Sequence, residues 1–212
     1  MCSSDRAGRR GASRGMPDGT TVRSALRWAT GQIRACLGGA PKGSAETPYL
    51  DALVLLAHAM GEPTERVMAS MPDELPGAAS ERFAAYVEQR CAGAPVSYIR
   101  GVKEFYGREF LVSPAVLVPR PDTEILVEEA LRLVDLVAGA EPTPARGTAE
   151  SGAGALHVHD ACTGSGCVAI TIAAERPTIR VSASDVSDDA LSVARWNAER
   201  LAGERVAGER VA

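Results

Sequence analysis

In this 212-residue chain the residue types and spacing best suited to chemistry lie in the run Asp160-Ala161-Cys162-Thr163-Gly164-Ser165-Gly166 and at Asp185. Gly164-x-Gly166-x-x-Ala169 reads as a turn that leaves a strand and opens a helix, with a carboxylate about 20 residues further on. Glycines there let the backbone approach a ligand closely, and a carboxylate at the end of the next strand can accept both hydroxyls of a ribose. An adenosine-containing cofactor is the expectation. Asp160 stands four residues ahead of Gly164 and faces the same crevice. Its charge would repel a nucleotide pyrophosphate but attract the sulfonium and ammonium groups of S-adenosylmethionine. The pattern favours that methyl donor over NAD, and a nicotinamide-dependent oxidoreductase remains the competing reading. Asp160 also has a plainer role open to it, tying down the glycine loop through backbone hydrogen bonds, and the two roles are compatible.

Neighbouring residues carry weaker signals. His157 and His159 fall on one side of a strand and, with Asp160, have the types of a metal site; with no further ligand cluster they read as a half-covered strand face. Cys162 and Cys167 flank the loop, either as reactive thiols or as small residues filling tight space beneath a cofactor. The five cysteines (Cys2, Cys36, Cys91, Cys162, Cys167) are odd in number and lack CxxC spacing. They read as reduced thiols of a cytosolic protein rather than a disulfide framework.

The elements that must position the loop follow from periodicity. Residues 156–160 read as a strand, 167–175 as a helix, 179–185 as a strand and 187–201 as a helix. This is a right-handed βαβ unit plus one helix, the opening of a doubly wound sheet. Upstream, residues 20–93 are helical. Val22, Ala25, Leu26, Ala29, Ile33 and Leu37 recur at helix spacing before Gly38-Gly39, and Thr47-Pro48 caps and opens an apolar helix that Gly61 closes. A short helix is expected around residues 63–68, and Ser80 caps another whose face is Phe83, Val87 and Cys91. Residues 96–118 alternate, with Gly101 and Gly107 as turn points, and read as a β-hairpin. Pro121 then opens a helix with Asp122 and Glu124 in its first turn, a buried stripe of Leu126, Ala130, Leu133 and Val137, and Gly139 as its stop.

The expected architecture is therefore α/β: a disordered basic tail (residues 1–19), an N-terminal helical bundle (20–95), a β-hairpin linker (96–118) and a partial Rossmann-like domain (119–212). Residues 140–155, rich in Ala, Gly, Pro and Thr, form a flexible insertion in the last of these. About 45% apolar content is ample for a core. The net charge of −4 gives no global footprint for a phosphate backbone. The opening residues carry Arg6, Arg9, Arg10 and Arg14 without an apolar segment, so they do not form a secretory signal. No uninterrupted apolar run reaches the ~18 residues of a membrane span.

Three segments carry a resemblance to a known family: Gly93-Ala-Pro95-Val-Ser-Tyr98-Ile99-Arg-Gly101, Glu104-Phe105-Tyr-Gly107-Arg-Glu-Phe110, and Val118-Pro119-Arg120-Pro121-Asp122-Thr123-Glu124. With Asp160 to Gly166, Asp185 and the helix from Ala190 to Asn197, they closely resemble the HemK-like (PrmC) release-factor glutamine methyltransferases. The resemblance covers residues 20–201 and implies S-adenosylmethionine as cofactor. It implies a cytoplasmic protein methyltransferase that acts in translation termination on peptide chain release factors, at the glutamine side-chain amide of the Gly-Gly-Gln motif. By carry-over, Cys162, Thr163, Gly164, Ser165 and Gly166 hold the methionine moiety and Asp185 the ribose. Phe105 and the Arg120 to Glu124 turn lie near the same pocket, and the helical domain helps to hold the protein substrate.

The sequence departs from that family in one respect. An amide nitrogen is a poor nucleophile, and the family positions it with an Asn-Pro-Pro-Tyr loop after the fourth strand. No such run occurs here; Asn197 is the only asparagine, expected on a helix surface, and no residue is assigned a catalytic role. Two parallel strands would leave a sheet edge unpaired. The expectation is a truncated or frameshifted product, with the tandem Ala-Gly-Glu-Arg-Val at residues 202–211 marking the lesion and methyl transfer lost. A non-catalytic module that binds a release factor or the cofactor is the alternative.

Overall fold

The computed structural model describes residues 19–37, 47–140 and 156–203, which fall in two compact units, Met1–Arg100 and Gly101–Ala212. The basic tail, the Gly38-Gly39 stop, the 140–155 insertion and the tandem repeat lie wholly or largely outside the described residues.

The first unit is helical: α1 (Val22–Leu37), α2 (Pro48–Met60), α3 (Thr64–Ala69), α4 (Gly77–Cys91) and α5 (Val96–Arg100). Helix α1 buries Val22, Ala25, Leu26, Ala29 and Ile33, the face its periodicity predicts. Helix α2 is apolar nearly all round and packs against α1, α3, α4 and α5, as a central helix must. Gly61 ends it at φ 70°. The Gly61 and Glu62 N–H groups return to the carbonyls of His58 and Ala57, which satisfies two terminal acceptors. Two capping expectations are corrected. The Thr47 side chain makes no capping bond; its carbonyl receives the Asp51 N–H instead. Ser80 lies inside α4, because Pro76 already offers its carbonyl to the Ala79 and Ser80 N–H groups and starts the helix earlier. Arg82 ties α4 to the end of α2 through two bonds to the Ala59 carbonyl, at 3.0 and 2.7 Å.

The second unit is mixed. Strands β1 (Val102–Phe105) and β2 (Arg108–Leu111) form an antiparallel hairpin about Tyr106 and Gly107, whose φ values of 51° and 69° give a two-residue turn suited to strand twist. The hairpin is shorter than expected. Residues 96–100 are helical because the Pro95 carbonyl accepts the Tyr98 and Ile99 N–H groups. Helix α6 (Asp122–Ala140) runs past Gly139 and also departs from expectation: Val127, Leu131 and Val134 are buried and Ala130 packs against the core as predicted, whereas Leu126, Leu133 and Val137 are exposed. The helix carries two apolar stripes, and it packs against α7 (Cys167–Glu175) with the other one. Strands β3 (His157–Ala161) and β4 (Arg180–Ser184) pair in parallel, from His157 opposite Arg180 to Ala161 opposite Ser184. Helix α7 crosses between them and packs on both, and α8 (Asp188–Gly203) packs against α7 and β2. Phe105, Phe110, Val127, Leu131, Cys167, Ile170 and Ile172 form the core. Because Ala161 and Ser184 are opposite one another, residues 162–166 and Asp185 leave the sheet at the same end.

Candidate functional site

The loop after β3 is held from both strands. The Thr163 N–H reaches the Ser184 carbonyl at 3.0 Å, and the Gly164 N–H donates to Asp185 Oδ2 at 2.9 Å. Asp185 Oδ1 accepts the Ser187 N–H at 3.0 Å, which turns the chain into α8, where the Ser187 hydroxyl accepts the Ala190 N–H. The Ser187 N–H first, and the Gly164 N–H next, hold the Asp185 carboxyl below the usual carboxylate range, so it is anionic at neutral pH. Each of its oxygens has given one acceptor position to backbone, and the remaining lone pairs fit a vicinal diol.

Asp160 Oδ2 accepts the Thr163 hydroxyl at 2.6 Å. Its tie to the loop is thus to a side chain rather than to backbone N–H groups. No hydrogen bond to Oδ1 is found among the described residues. The two glycines differ in function. Gly164, at φ 57°, has nothing within 4 Å of where a Cβ would stand, so it borders open space. A Cβ on Gly166, at φ 81°, would stand 2.8 Å from Ile170 Cδ1 and 3.2 Å from Ala194 Cβ. Gly166 therefore serves the close approach of α7 and α8.

The remaining predicted residues are not all brought together. Thr163 and Ser165 are buried, whereas Cys162 is exposed at φ 62°. Cys167 is packed in the core, where burial pushes its thiol up. The four described cysteines are free thiols. His157 and His159 are exposed and share the Ser182 hydroxyl at 2.8 Å each, and His159 also reaches the Ser184 hydroxyl at 2.9 Å. Among the described residues no group of three or more metal-ligand types comes together. Phe105 is buried in the core, and Glu124 Oε1 accepts the Tyr106 N–H at 3.0 Å, so the Arg120 to Glu124 segment pins the hairpin turn.

Two residues escaped the sequence reading. Asn197 is fully buried, not on a helix surface as expected. Its amide exchanges two hydrogen bonds with the Leu111 backbone and donates a third to the Ser165 carbonyl at 2.9 Å. Val186, next to Asp185, is 99% exposed, an apolar side chain beside the strand-end carboxylate. An apolar residue directly after the strand-end carboxylate was the available signal for Val186. None existed for Asn197.

The PrmC N-terminal domain family matches residues 24–101. A release factor glutamine methyltransferase of Burkholderia pseudomallei is 42% identical over 152 residues, covering 72% of this chain and 48% of the relative. One from Moorella thermoacetica is 38% identical over 181 residues, covering 85% of this chain and 56% of the relative. The chain belongs to the HemK-like (PrmC) family. A bifunctional methyltransferase of Rickettsia prowazekii is 37% identical over 71% of this chain and 30% of its own length. The chain spans about half the length of the release factor glutamine methyltransferases it matches. Within the family, its helical first unit is followed by part of a methyltransferase-like domain.

Proposed function

We propose that this chain supplies the donor-binding part of an S-adenosylmethionine-dependent enzyme that methylates the glutamine side-chain amide in the Gly-Gly-Gln motif of peptide chain release factors, in the cytoplasm. The observation that carries the reading is the anionic Asp185 bridged to Gly164, with open space over that glycine. When bound, S-adenosylmethionine supplies an electrophilic methyl group on a sulfonium centre. Asp185 would accept the ribose hydroxyls, Val186 would cover the adenine face, and the free Asp160 oxygen would meet the ammonium or sulfonium charge. Cys162 to Gly166 would line the methionine moiety, with Gly166 acting through packing. Two carboxylates at one end of the sheet disfavour a pyrophosphate and hence NAD.

Transfer is a separate matter. The acceptor amide must be held and relieved of a proton as it attacks, and the only asparagine is fully engaged in holding Leu111 and Ser165. The reading for these 212 residues alone is donor binding without transfer. Calorimetry with S-adenosylhomocysteine should give binding that Asp185→Ala weakens at least about tenfold, and NADH should bind more weakly. Tighter NADH binding would sink the cofactor assignment. Incubation with labelled S-adenosylmethionine and a release factor should leave the factor unlabelled, and incorporation of label would overturn the loss of transfer while keeping the cofactor.

A further inference from the structure

A groove of about 470 Å³ lies on the first unit, and three arginines of α1 line it: Arg23, Arg27 and Arg34. Steps of four and seven residues place them within about 40° of one another around the helix axis, spread over roughly 16 Å. All three are exposed, and none forms a salt bridge among the described residues. The arginines therefore present a row of guanidinium charge that no described carboxylate pairs in a salt bridge. Between them the groove is apolar, lined by the buried Leu26, the half-exposed Tyr49 and the partly buried Met71. Among the described residues no acidic side chain lines it.

From this row we infer that the α1 groove docks an acidic, amphipathic segment of a partner protein, whose carboxylates pair with the three guanidiniums and whose apolar side chains enter between Leu26, Tyr49 and Met71. Guanidiniums pair carboxylates in forked geometry, and Arg and Tyr are enriched where protein partners are held. A nucleic-acid backbone would use the charge but not the apolar floor, and the chain's net charge of −4 opposes it overall. The inference is independent of the methyl-transfer reading, because no residue of the glycine loop takes part.

Fluorescence anisotropy on the full chain tests it with three labelled probes: a short helical peptide carrying Glu and Leu on one face, a poly-glutamate peptide of equal charge, and a single-stranded RNA. The Glu/Leu peptide should bind tightest. The Arg23→Glu/Arg27→Glu variant should lose at least about tenfold of that affinity, and Arg27→Lys should keep most of it. All three positions are exposed, so the melting temperature should not move, and circular dichroism checks this. Equal binding of poly-glutamate, tighter binding of RNA, no binding of the Glu/Leu peptide, or indifference to charge reversal would each overturn the assignment. Self-association that the same reversal abolishes would replace the partner by a second copy of this chain.

Discussion

Asn197 pairs with Leu111 as a neighbouring strand would: its Oδ1 accepts the Leu111 N–H at 2.8 Å and its Nδ2 donates to the Leu111 carbonyl at 3.0 Å. The same amide nitrogen reaches the Ser165 carbonyl, so one side chain joins the hairpin to the glycine loop. Asn197→Ala would leave these backbone groups unpaired in a buried site. It should cost about 3 kcal/mol in urea unfolding, since each orphaned buried group costs roughly 1–3 kcal/mol and relaxation recovers part. Asn197→Asp should also destabilise, because it removes the donor to both carbonyls.

The two loop glycines should separate under the same substitution. Gly166→Ala drives a methyl against Ile170 and the α8 residue Ala194, and should lower the melting temperature. Gly164→Ala meets nothing in the protein and should cost only about 1–2 kcal/mol for its left-handed backbone. Its main effect should be weaker binding of S-adenosylhomocysteine, measured by calorimetry, because the added methyl stands in open space on the residue that bonds Asp185.

Helix α6 offers a test of which apolar stripe is structural. Leu131, 7% exposed, should cost about 2–5 kcal/mol on replacement by Ala. Leu133, 50% exposed, should change stability by less than about 0.5 kcal/mol. Equal losses from the two variants in denaturant titration would contradict the observed face.

The first unit should weaken in mild acid. The His58 ring stacks on Tyr86 with centroids 5.1 Å apart, and burial first, then the Arg100 guanidinium, lower the pKa of its imidazole. The unfolded chain then binds the proton more readily than the folded one. The His58 contribution is complete above the unfolded value of about 6.5 and is lost as pH falls through the lower folded value. Between about pH 7.5 and about pH 5.5, His58→Gln should lose less stability than the parent chain. Identical pH profiles of melting temperature would refute this.

Much of the fold was legible in the sequence because the signals are local. The stripe Val22, Ala25, Leu26, Ala29 and Ile33 fixed the buried face of α1, and the left-handed Gly61 ended α2 where predicted. The glycine turn, with its carboxylate about 20 residues on, marked the end of the sheet at which β3 and β4 stop together. The family, too, was readable from local motifs.

Tertiary structure decided what local pattern leaves degenerate. Two apolar stripes on α6 give the same periodicity, and only packing against α7 selects Val127, Leu131 and Val134. Gly164 and Gly166 are alike in sequence, and only the approach of Ala194 makes one a packing residue and leaves the other bordering open space. Asn197 reads as one polar residue of a helix until β2 and the glycine loop close around it. Its buried amide must then find partners distant in sequence, and those partners turn it from a surface residue into the link between hairpin and cofactor loop.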